Sequence, residues 1–85
     1  MTRIEEFIRC NEGSTLTGKI DMGGTGADFT ADHYDVHAYG NTLLISGGAE
    51  TNITIPNDDN WDINEDEFEC TYVYPSGVVY IISID

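Results

Sequence analysis

The densest set of chemically capable residues is the run Asn57-Asp58-Asp59-Asn60-Trp61-Asp62-Ile63-Asn64-Glu65-Asp66-Glu67-Phe68-Glu69, with seven carboxylates. Oxygen ligands at such spacing invite comparison with the calcium loop of an EF-hand. Asp58, Asn60, Asp62 and Glu69 fall at loop positions 1, 3, 5 and 12. The comparison fails at position 6, where Ile63 replaces the glycine that the sharp turn needs, and at position 8, where Glu65 replaces an apolar residue. The flanks read as strands rather than helices. A divalent ion held without EF-hand geometry is the remaining metal reading. The other chemistry open to the run is that of an anionic contact surface. Asp58, Asp59, Asp62, Glu65, Asp66, Glu67 and Glu69 would supply charge. Trp61 would supply an aromatic anchor of the kind enriched at binding hot spots, or would simply pack over a sheet edge.

A second cluster is Asp32-His33-Tyr34-Asp35-Val36-His37. On a regular strand His33, Asp35 and His37 share one face, and two imidazoles with a carboxylate can ligate zinc or iron. The sequence offers no further histidine, so the alternative is the polar face of a half-exposed strand. If that strand is exposed, Asp28, Asp32 and Asp35 extend the anionic surface, although they do not all share one face. Catalytic constellations are not recognisable. Ser14, Ser46, Ser76, Cys10 and Cys70 lie in no activating motif. Gly24-Thr25-Gly26-Ala27-Asp28-Phe29 ends in Phe where the dinucleotide fingerprint needs Gly or Ala. The expectation is a non-enzyme without cofactor or bound metal.

Charge is the global feature. The 85 residues carry 16 Asp and Glu against 3 Lys and Arg, a net charge of −13. Arg3, Arg9 and Lys19 all lie near the N-terminus, and the rest of the chain has neither Lys nor Arg. At ~15 Å mean separation and an ~8 Å screening length, the self-repulsion sums to roughly 3 kcal/mol. That is an appreciable part of the ~4–13 kcal/mol by which such a domain is stable. Solubility alone asks for a net charge of only about 2–8. Lacking basic residues to contact phosphates, the chain is not expected to bind nucleic acid directly. No apolar run approaches a membrane span. The N-terminal sequence has acids where a signal peptide needs an apolar run, and two cysteines are too few for a disulfide scaffold. These features predict a cytoplasmic protein with reduced thiols.

The positioning elements follow from periodicity. Thr2-Arg3-Ile4-Glu5 has the form of a capping box, Ile4, Phe7 and Ile8 form one helical stripe, and Gly13 terminates it. This predicts a helix over residues 3–11. Strands are expected around Leu16, Ile20 and Met22, over 28–39, over 42–46 after a Gly40-Asn41 hairpin turn, and over 51–55 up to Pro56. Two more are expected over 68–74 and 78–84, around Pro75-Ser76-Gly77, the last apolar on both faces and so central or covered by the helix. The predicted fold is a single α+β domain over residues 1–85, with one short N-terminal helix packed on an antiparallel sheet of five or six strands.

In length, acidity, helix-plus-sheet pattern and Asp/Glu-rich loop, the whole chain resembles small phage-encoded inhibitors of host defence, the class that includes anti-CRISPR proteins and the uracil-DNA glycosylase inhibitor. The resemblance rests on size and charge, so it carries over no residue role. It implies a positively charged partner such as a CRISPR effector or another DNA- or RNA-binding enzyme. A domain ~30 Å across sits beside duplex DNA carrying about 18 charges over that length, so its field is of the same order. An immunity protein for a basic toxin nuclease would use the same physics. A non-catalytic interaction or structural module is a third reading, with Tyr34, Tyr39, Tyr72, Tyr74 and Tyr80 forming a face for homodimerisation. Salt adaptation is the remaining account of the acidity.

Overall fold

The computed structural model describes residues 1–48 and 51–85. Helix α1 (Arg3–Cys10) is followed by eight strands: β1 (Leu16–Asp21), β2 (Gly26–Ala31), β3 (Asp35–Tyr39), β4 (Thr42–Gly47), β5 (Thr51–Pro56), β6 (Asp62–Asn64), β7 (Glu69–Val73) and β8 (Val79–Ile84). The strands form two antiparallel sheets rather than the single sheet expected. One has five strands in the order β2-β1-β8-β7-β6, and the other has three in the order β3-β4-β5.

The extra sheet arises because the long strand expected over 28–39 is two strands in different sheets. The chain turns at Asp32-His33, where His33 takes φ 51°. Across this turn the buried positions change phase, from Ala31 to Tyr34 and Val36. A single strand would have carried one set of apolar residues on one face throughout.

Local chemistry explains most of the other elements. The Thr2 hydroxyl accepts from the Glu5 amide, which is half of a capping box; the Glu5 carboxylate does not reach back to Thr2 but takes bonds from Arg9 and Asn57. Ile4, Phe7 and Ile8 are the buried stripe of the helix. Gly40 takes φ 59° in the β3–β4 turn, the left-handed conformation that a two-residue hairpin demands. β8 lies at the centre of the five-stranded sheet, the place its two apolar faces predict.

Across that sheet, Phe29, Gly18, Ile82, Cys70 and Ile63 align in one inward row. Gly18 has no alternative here, because a Cβ would stand 1.8 Å from the Phe29 ring that lies across it. The second sheet supplies Val36, Leu43, Ile45 and Ile55 to the same core. Tyr34 ties the helix in: its buried hydroxyl donates to the Ile8 carbonyl at 2.6 Å, and its backbone bonds to Gly13 and Ser14. The molecule measures 31 × 27 × 27 Å. Among the described residues no helix is long and apolar enough to cross a membrane.

Candidate functional site

The acid-rich run divides into two halves with different work. The first, residues 57–61, serves the helix. Asn57 accepts from the Thr2 hydroxyl and donates to Glu5 Oε1 at 3.2 Å. Asp59 Oδ1 accepts from the Arg3 amide at 3.4 Å. A carboxylate here meets the positive end of the helix dipole. Glu5 is held below the ordinary carboxyl range, chiefly by its bond from Arg9; that contact, at 2.8 Å, is the one ion pair among the described residues. Asp58 takes two bonds, from the Asn60 amide at 2.9 Å and from the Tyr72 hydroxyl at 2.9 Å. The second bond pushes the Tyr72 phenol up.

Trp61 closes this half and is not an exposed anchor. It is only 6% exposed, its indole N–H donates to the Pro56 carbonyl at 2.8 Å, and its ring lies 5.0 Å from that of Tyr72. Trp61 therefore packs against the sheet, the second of the two roles its sequence position allowed. Its contacts come from β5 and β7.

The second half is the β6–β7 hairpin, a short strand and turn where sequence suggested a loop. Asp62, Glu65, Asp66 and Glu67 are exposed and Glu69 is half-buried. Their carboxylates accept no hydrogen bond and make no ion pair among the described residues. Asp62, Glu65 and Asp66 border one open cleft of about 420 Å³ together with Arg3. At the end of the turn stands Phe68, 48% exposed and at φ 53°. A left-handed backbone at a residue with a side chain carries a steric cost, and only about half of the ring is buried in return. Sequence pattern assigned Phe68 to a strand. Its place between Glu67 and Glu69 was the only available signal that it could stand out among charges.

The other acids lie elsewhere. Asp28 and Asp62 occupy opposite ends of the row Asp28-Lys19-Ile81-Thr71-Asp62 on the outer face of the five-stranded sheet. Four inter-strand spacings separate them by ~19 Å. Asp32 lies in the β2–β3 turn, accepting from the Thr15 hydroxyl at 3.2 Å. Asp35 opens β3 in the other sheet. Asp28, Asp32 and Asp35 are exposed, but they do not join the hairpin in one patch.

The expected His33, Asp35 and His37 face is not formed, because His33 sits in the turn before β3. Among the described residues no three His, Cys, Asp or Glu side chains are placed to hold a metal ion. Cys70 is buried, and desolvation pushes its thiol up to about 12, away from the thiolate a nucleophile needs. The tyrosines do not make the shared face considered for a homodimer. Tyr34 and Tyr72 are buried, Tyr74 and Tyr80 are half-buried beside Tyr72, and Tyr39 is exposed on β3.

Comparison with protein families, curated proteins and solved structures finds no match for this chain, so its functional reading rests on the geometry above.

Proposed function

We propose that this protein is a non-catalytic binding protein that engages a positively charged macromolecule, and that its partner is a nucleic-acid-handling protein such as a nuclease or CRISPR effector. The observation that carries the reading is the unspent charge. No charged residue is in the buried core among the described residues, one ion pair is present among them, and the β6–β7 hairpin presents Asp62, Glu65, Asp66 and Glu67 to solvent without protein partners. A groove built for DNA phosphates meets a comparable field here. The 31 Å length of the domain corresponds to about 18 duplex charges, against a net charge of −13. Attraction between such fields speeds encounter and is weakened by salt. An immunity protein for a basic toxin nuclease falls within the same reading.

The test is affinity capture with the wild-type protein and with the quadruple variant Asp62→Asn, Glu65→Gln, Asp66→Asn, Glu67→Gln. Asp58 and Asp59 are left intact because they cap the helix and hold Tyr72. Retention of a DNA- or RNA-binding enzyme by the wild type alone, reversed by salt or by competing duplex DNA, is the expected result. Equal retention by the variant would remove the hairpin from the interface.

A further inference from the structure

A second recess lies between the two sheets, lined by none of the exposed hairpin acids, with a volume of about 300 Å³. One wall is aromatic. Tyr72, Tyr74 and Tyr80 stand in an edge-to-face series with ring centroids 4.9 and 5.4 Å apart. Thr42 and Thr54 of the three-stranded sheet line the same recess. Asp58 borders it as well. Its two oxygens take one bond each, from Asn60 and Tyr72, and a carboxylate has about four acceptor positions. Acceptor capacity is therefore left over.

Among the described residues no cation uses that capacity. The Lys and Arg residues of the chain are Arg3, Arg9 and Lys19, and none of them lines the recess. Arg9 is paired with Glu5, Arg3 borders the clefts beside the helix and hairpin, and Lys19 is exposed on β1. Tyrosine faces beside a carboxylate, in a molecule of net charge −13, form an environment for a cation.

We propose that this recess receives a guanidinium group, namely an arginine side chain of the basic partner inferred above, with Asp58 accepting from its N–H groups and a tyrosine face against its plane. The choice of arginine over lysine follows from shape and hydration. A guanidinium is planar, sheds water more readily than an ammonium, and stacks on aromatic faces while its edge donates to a carboxylate. Its spare donors reach hydroxyl acceptors such as Thr42 and Thr54, which an ammonium seated on Asp58 would serve less well. The inference rests on the basic-partner reading for the identity of the occupant, but the recess can be tested without that partner.

The probe is N-acetyl-L-arginine amide, titrated in ~0.3 M NaCl so that diffuse attraction to the surface acids is damped. Saturable NMR shifts at Tyr72, Tyr74, Tyr80 and Thr54 with a dissociation constant of ~1 mM are expected. A parallel change is expected in the fluorescence of Trp61, the single tryptophan, whose ring is 5.0 Å from Tyr72. Asp58→Asn keeps an acceptor for Tyr72 and should weaken binding at least ~10-fold. Tyr80→Leu, which leaves the Asp58–Tyr72 bond in place, should do likewise if Asp58→Asn proves unstable. The isosteric but neutral N-acetyl-L-citrulline amide should produce no saturable shift. Equal binding of the citrulline compound, binding of N-acetylglucosamine in place of arginine, shifts confined to the hairpin acids, or no saturation by ~50 mM would each overturn the proposal. Such a failure leaves the hairpin reading intact. Conversely, partner capture unaffected by the hairpin variant, with arginine still seated in the recess, would sink the hairpin reading alone.

Discussion

Trp61 and Phe68, both in the acidic run, take opposite places in the molecule. Trp61 is inside, bonded to Pro56 and tilted against the Tyr72 ring. Phe68 is outside on a left-handed backbone. Trp61→Ala should therefore cost about 3–5 kcal/mol. Phe68→Gly loses the packing of half a ring but relieves a backbone penalty of roughly 1–2 kcal/mol, so it should fall within about 1 kcal/mol of wild type. Urea midpoints of the two variants check this contrast, and a large loss for Phe68→Gly would make that ring structural. Tyr34 is the third decisive side chain. Removing its hydroxyl in Tyr34→Phe takes one of two donors from the Ile8 carbonyl, which keeps the Asn11 amide at 3.3 Å, and should cost about 0.5–1.5 kcal/mol, again read as a lowered urea midpoint.

At the scale of elements, the five-stranded sheet and the turns beside it hold groups whose protons the fold retains. Cys70 rises from an ordinary 9.0 to about 12 by desolvation, and Tyr74 rises from 10.0 to about 12 for the same leading reason. Tyr34 and Tyr72 move in the same direction, through burial and through the Asp58 bond respectively. The folded state thus binds more protons than the unfolded state between pH ~9 and ~12. The stability these groups lend is complete below pH ~9 and is lost as pH rises through that window. Urea midpoints should be level from pH 7 to 8.5 and decline beyond pH 9. Cys70→Ala should flatten the first part of the decline, and an unchanged slope would mean that the thiol is not desolvated.

The elements also show what was legible in the sequence. The helix was readable because Thr2, Glu5 and the Ile4, Phe7, Ile8 stripe are local signals. The hairpin at Gly40-Asn41 was readable because a glycine marks the positive φ. The break at Asp32-His33 was not marked that way, since His33 takes its positive φ without a glycine. The shift of apolar positions from Phe29 and Ala31 to Tyr34 and Val36 was its one trace. Missing it merged β2 with β3, left the second sheet unseen, and produced a histidine face that does not exist. Within the acidic run the residues were identified correctly as exposed charge for Asp62, Glu65, Asp66 and Glu67. The helix-capping duty of Asn57 and Asp59 depends on a contact more than fifty residues away in sequence, which no local pattern encodes.

For the molecule as a whole, a net charge of −13 sets both stability and partner choice. Raising NaCl from 0.15 M to 1 M shortens the screening length from ~8 to ~3 Å. It should raise unfolding stability by up to ~3 kcal/mol, less the share that the expanded chain also gains. The urea midpoint at the two salt concentrations measures this. The same salt that steadies the fold should loosen the complex, because attraction to a basic groove is screened as well. Opposite salt responses of folding and of binding are a signature that salt adaptation alone does not produce. The most direct measurement is therefore retention of the captured partner by wild type and by the Asp62→Asn, Glu65→Gln, Asp66→Asn, Glu67→Gln variant across a salt series. The expected result is a nucleic-acid-handling protein held by the wild type at low salt, released as salt rises, and not held by the variant. Retention by both proteins to the same extent, or a complex that survives high salt unchanged, would contradict the account.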